Sequence, residues 1–138
     1  MKNSLLAFLL IFYVSVFAQN TNNKNIKHVN IIQKICLKKT GYQLVLKEVI
    51  SDSRCPEGVN CVWAGEASAV ISVYKNSKFA EDKTIVFSLK NEQENNLWFA
   101  KYLPEKQRKI KKTGVFPYPK HGVTVVKKDY LIKIGYLK

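Results

Sequence analysis

Histidine, arginine, methionine and cysteine are all scarce in these 138 residues: two His, two Arg, one Met and three Cys, against 21 Lys. Each scarcity excludes something. His28 and His121 are distant in the chain, and there is no H-E-x-x-H, no G-x-S-x-G and no Gly-rich phosphate loop. Acid–base and nucleophilic chemistry therefore lack obvious players, and neither an enzyme nor a cofactor is expected. With so few arginines, bidentate reading of bases is not expected, which argues against sequence-specific nucleic-acid binding. Acids are few as well, 10 Asp+Glu against 23 Lys+Arg, giving a net charge of +13. What is abundant is apolar: 46% hydrophobic residues, with seven Tyr, seven Phe and two Trp, fill the core of one domain of ordinary size.

The apolar supply is uneven. Lys2 precedes a run from Leu5 to Phe17 interrupted only by Ser15, and Val16-Phe17-Ala18 places small residues where a signal peptidase cuts. Residues 1–18 read as a signal peptide cleaved after Ala18. The run is too short for the ~30 Å hydrocarbon core, so no transmembrane segment is expected after cleavage. Gln19 rather than Cys follows the cut, so no acyl anchor is expected either. The protein is expected to be exported, to the periplasm or beyond the cell. Residues 19–29 are Asn-rich and read as a flexible arm, leaving 30–138 as a single domain.

Export puts the cysteines in an oxidising compartment. Cys55 and Cys61 enclose five residues including Pro56 and Gly58, a turn composition that returns the chain to disulfide distance. Cys36, within Ile31-Ile32-Gln33-Lys34-Ile35-Cys36-Leu37, reads as a buried free thiol on a strand. Three sharper alternatives are weaker. Zinc on the thiols with His28 or His121 lacks the usual ligand spacing. A Cys36–His121 hydrolase pair would need a thiolate in a strand core. Calcium on Asp52 with Glu57 or Glu66 would sit beside Arg54.

From residue 30 onward apolar residues recur with period 2. Strands are expected at 30–38, 42–51, 66–75, 84–90, about 107–116, and 123–137, the last breaking around Lys127-Lys128-Asp129. Leu44, Leu46 and Ile50 share one face, as do Ile85, Phe87 and Leu89, and Tyr130, Ile132, Ile134 and Tyr136. Turns fall at Thr40-Gly41, Asn76-Ser77, Pro117-Tyr118-Pro119 and His121-Gly122. One short helix is expected over 92–102 with Asn91 as its cap. The fold class is all-β, an antiparallel sandwich or small barrel of six to seven strands with room for that helix.

The most distinctive stretch is Asp52-Ser53-Arg54-Cys55-Pro56, followed after the loop by Cys61-Val62-Trp63-Ala64-Gly65-Glu66. It resembles a DSRCP…CxWxGE segment carried by a group of uncharacterised bacterial secreted proteins and lipoproteins. Phe116-Pro117-Tyr118-Pro119 and Lys128-Asp129-Tyr130 extend the resemblance over most of 30–138. It implies a compact β-rich fold, and no established activity carries over with it. Read from its residues, the loop has a structural account: the bridge restrains it, Arg54 pairs with Asp52 or Glu66, and Trp63 covers the disulfide. A functional account makes Arg54 and Trp63 an exposed recognition pair.

Charge is concentrated late. Residues 101–138 hold eleven Lys+Arg against Glu105 and Asp129, densest at Lys106–Lys112. Lys109, Lys111 and Lys112 are the candidates for an anionic partner such as lipopolysaccharide, acidic glycan or nucleic acid, with Tyr118 and Tyr130 available for stacking. The plainer reading is a solvated strand whose lysines discourage edge pairing. Two functions compete on this evidence. One is an envelope-associated binding or structural module for an anionic or protein partner; the other is a secreted protease-inhibitor-like domain presenting the closed loop 52–61.

Overall fold

The computed structural model describes residues 25–34 and 36–138. The expected signal segment and most of the Asn-rich arm lie outside them. Six strands and one helix follow in the order β1 (Ile26–Ile31), β2 (Tyr42–Asp52), β3 (Ala67–Lys75), β4 (Lys78–Phe87), α1 (Glu92–Tyr102), β5 (Ile110–Phe116) and β6 (Leu131–Leu137). Single 3-10 turns sit at Glu105–Gln107 and Lys127–Asp129. The strands form two antiparallel three-stranded sheets, β1-β6-β5 and β2-β3-β4, in a sandwich-like all-β fold with no closed barrel among the described residues. Where β1 ends, the Leu46 N–H donates to the Ile32 carbonyl at 3.1 Å and ties the sheets together.

The core draws on both sheets. Leu46, Ala69, Ile71 and Ile85 face Val115, Ile132 and Ile134, and α1 adds Phe99 and Leu103. On β3, Ala67, Ala69 and Ile71 share the buried inner face of this central strand. α1 begins where expected, with Glu92 and Glu94 in the first turn and Lys101 in the last, a polarity that suits the helix dipole. Asn91 precedes it, but its side chain makes no cap bond; its carbonyl accepts from Asn95 at 2.9 Å. The buried Asn95 amide donates to the Val86 carbonyl at 2.8 Å and anchors the helix to β4. No helix among the described residues is long and apolar enough to cross a membrane.

Four expectations are corrected. The first strand starts at Ile26, inside the presumed arm, and stops at Ile31, because its β6 partner begins at Leu131 and offers no ladder beyond the Ile31–Ile132 pair. Cys36 therefore lies off the sheet and is exposed, not buried in a strand. In β2, irregularities between Leu46 and Glu48 and between Val49 and Ser51 shift the faces, so Ile50 turns to solvent although Leu46 is buried. Leu89 is exposed as well, because β4 ends at Phe87.

Candidate functional site

The antiparallel order brings the 53–66, 88–91 and 117–130 connections to one end of the sandwich, beyond Asp52, Ala67, Phe87, Phe116 and Leu131. The centre of that end is an ion pair. Asp52 and Arg54 side chains are each 9% exposed. The guanidinium grips the carboxylate through Nε to Oδ1 at 2.7 Å and Nη2 to Oδ2 at 2.6 Å. Its remaining reach crosses to the other sheet: Nη1 donates to the Val115 carbonyl at 2.5 Å and Nη2 to that of Pro117 at 3.1 Å. The Tyr130 hydroxyl donates to Asp52 Oδ2 at 3.1 Å, and the Tyr118 ring lies 4.7 Å from the guanidinium carbon. Burial pushes the Asp52 carboxyl up, but the Arg54 bonds and charge outweigh it and hold it below the ordinary carboxylate value. Burial, and then the Asp52 charge and hydrogen bond, push the Tyr130 hydroxyl up.

Three separate stretches of the chain thus converge on one pair of side chains. Asp52 and Arg54 come from the first, Pro117 and Tyr118 from the second, Tyr130 from the third. The loop above them is braced again by backbone. Cys55 and Cys61 are bonded, with Cα atoms 5.9 Å apart. The Ser53 and Cys55 N–H groups donate to Glu66 and Ala64 at 2.8 and 2.9 Å, and Glu57 exchanges bonds with Pro119 and His121. Gly65, at φ +70°, permits this: a Cβ there would stand 2.0 Å from the Ser53 carbonyl oxygen.

Two readings of this loop change. Arg54 is an internal clamp, not an exposed recognition group, and its aromatic neighbour is Tyr118 rather than Trp63. Trp63 is 67% exposed and Val62 wholly so, which leaves the indole in solvent instead of over the bridge. Leu89, Tyr118, Val123 and Val126 are further exposed apolar side chains at the same end. Nothing in the spacing of these residues marks them as neighbours, since three separate connections supply them.

Lys109, Lys111 and Lys112 are exposed, as expected, but lie toward the opposite end of β5 from Phe116. Lys111 and Lys112, adjacent on the strand, line different clefts. Lys112 joins Arg54, Phe87, Leu89, Phe116 and Tyr118 around a cleft of about 260 Å³. Lys111 lines a wider groove of about 580 Å³ beside α1 with Lys90, Arg108 and Asn96. Only Lys112 therefore stands near the clamp.

The metal and nucleophile alternatives meet specific obstacles. Both Asp52 oxygens are taken by Arg54 and Tyr130, which leaves them poorly placed for calcium. Cys55 and Cys61 are bonded to each other, and no group of three metal-ligating side chains occurs among the described residues. Cys36 lies two residues from Lys38, whose carbonyl accepts from Ser77 at the far end of the β3–β4 hairpin, whereas His121 bonds Glu57 at the disulfide end. No family model, curated protein or solved structure matches the chain.

Proposed function

We propose that this protein is an exported, non-catalytic binding module of the cell envelope, and that its contact surface is the braced loop end carrying Val62 and Trp63. The observation that carries the reading is a combination: exposed apolar side chains, Val62 wholly so, on a segment fixed by a disulfide, a buried ion pair and a backbone ladder. Clustered exposed apolar groups mark interaction sites where single ones do not, and a surface held rigid before contact loses little conformational freedom on binding. The disulfide suits an oxidising destination, in keeping with the signal-like first eighteen residues.

The inhibitor reading is less well supported. The ring closed by Cys55 and Cys61 folds back on itself, with Val59 N–H donating to the Pro56 carbonyl at 3.3 Å and Gly58 at φ +87°. Glu57 spends both its backbone groups on the 119–121 segment, so the ring is not offered as an extended strand to an active-site cleft. Retention on a detergent-solubilised and a lipid-containing envelope fraction tests the proposal. Trp63→Ala is expected to lower retention at least tenfold with an unchanged thermal transition. Unchanged retention, together with stoichiometric inhibition of a protease by the parent chain, would replace it with the inhibitor reading.

A further inference from the structure

We infer that the partner of the loop end is a lipid surface bearing anionic head groups, into which Val62 and Trp63 insert. This rests on the binding-module reading and names its partner. Half of the exposed large apolar side chains among the described residues stand at this end, although it comprises three connections only. Val62 and Trp63 are adjacent on the disulfide-braced connection, and Val123 and Val126 belong to the neighbouring one, with Tyr118 between the two clefts that flank them. Val62 is fully exposed and has no wall around it, so it is a projecting point rather than the lining of a pocket. A projecting valine and indole fit a fluid interface without requiring a complementary cavity, and Trp favours the level of the head groups.

Charge around the tip fits the same partner. Lys120 shares the second cleft with Tyr118, Val123 and Val126, and Lys127 and Lys128 follow on the next 3-10 turn, all exposed. Their ammonium groups, on long exposed stems, are free to reach head-group phosphate. Opposite charges nearby are Glu57, Glu66 and Asp129, which match these three lysines, so the local surplus is the single charge of Lys90 on the 88–91 connection. Attraction from a distance comes from the whole chain at +13, and local insertion from the apolar tip. Because the Asp52–Arg54 clamp and the bridge already fix the loop, insertion requires no folding step.

The test uses the full chain carrying Trp98→Phe, so that Trp63 is the only indole, with vesicles of phosphatidylcholine alone or mixed equally with phosphatidylglycerol. Co-sedimentation with the mixed vesicles and a blue shift of Trp63 emission are expected. Trp63→Ala in the otherwise native chain should weaken sedimentation about tenfold, a comparison in which residues 1–18 contribute equally to both proteins. Lys120→Gln, Lys127→Gln and Lys128→Gln should each weaken it about fivefold on mixed vesicles and little on neutral ones. Unshifted Trp63 emission, or equal sedimentation of parent and Trp63→Ala, overturns the lipid partner. If Trp63→Ala then still abolishes retention on the detergent-solubilised protein fraction, the binding-module reading stands with a protein partner. If that retention is also unchanged, both readings fall.

Discussion

Arg54 reaches back two residues to hold Asp52 in a side-on, two-bond grip while donating forward to the Val115 carbonyl of the opposite sheet and to the Pro117 carbonyl just beyond its end. One side chain thus joins the end of β2 to the end of β5. Its removal leaves a largely buried carboxylate with the Tyr130 hydroxyl and the Arg54 backbone N–H, at 3.3 Å, as its remaining partners. Arg54→Ala is expected to cost about 3–5 kcal/mol in urea unfolding, because an unpaired buried charge costs far more than the pair contributes net. Arg54→Lys should recover little of it, since an ammonium cannot form the planar two-bond contact and the cross-sheet bonds together.

The same pair gives an acid-dependent stability with a definite sign. The folded Asp52 carboxyl is held below its ordinary value, so its contribution is fully present above the unfolded value near ~3.9. It is lost as pH falls through the lower, folded value. Unfolding free energy measured from neutral pH down to pH ~2 should fall across that window for the parent. Asp52→Asn should start less stable and show a shallower fall. An equally steep acid limb in the variant would assign the acid sensitivity to another carboxylate.

Gly65 is the backbone counterpart of the clamp. At φ +70° any side chain is strained, and an alanine methyl would meet the Ser53 carbonyl oxygen at 2.0 Å. Gly65→Ala should therefore destabilise by more than ~3 kcal/mol or prevent folding. Gly58, at φ +87° but with open space around it, supplies the contrast, and Gly58→Ala should cost only ~1–2 kcal/mol. Similar losses for both would mean that the close approach at Ser53 relaxes freely.

Local signals in the sequence were legible wherever the structure obeys local rules. The α1 limits, the Asn76-Ser77 turn with both residues at positive φ, and the Cys55–Cys61 ring all depend on residues near one another in the chain. Misreadings arise where a distant partner decides. Cys36 has strand-like neighbours, but β6 has no residues left to pair with them. Ile50 keeps the period of Leu46, yet two bulges intervene, and bulges leave no reliable trace in a period-2 pattern. Arg54 was readable as Asp52's partner, one of two acids in reach. That Tyr118 supplies its aromatic face depends on how β5 lies against the loop, which no spacing encodes.

The bridge and the free thiol are separable by chemistry. Native protein treated with an alkylating reagent should take up one label, on the exposed Cys36, and three after reduction and unfolding. Replacing Cys55 and Cys61 by Ser should cost about 2–3 kcal/mol, the loop-closure value for so short a ring. Labelling of Cys55 or Cys61 before reduction would contradict the pairing.

The lysine cluster is expected to be dispensable for folding and separable from the loop end. Lys109, Lys111 and Lys112 are exposed and form no ion pair among the described residues; the last two sit on an edge strand, and Lys109 just before it, where like charge discourages pairing with another sheet. Replacing all three by Gln should shift unfolding free energy by less than ~0.5 kcal/mol per site. Retention on an anionic matrix is a different matter. It should drop for the variant at low ionic strength and converge with the parent as salt approaches 0.15 M, where the screening length shortens to ~8 Å. A large loss of stability would mean that these stems pack against α1 across the Lys111 groove, and the cluster would then be part of the structure rather than a presented charge. A variant that keeps both its stability and its low-salt retention would assign the attraction to the remaining lysines, foremost Lys120, Lys127 and Lys128 at the loop end.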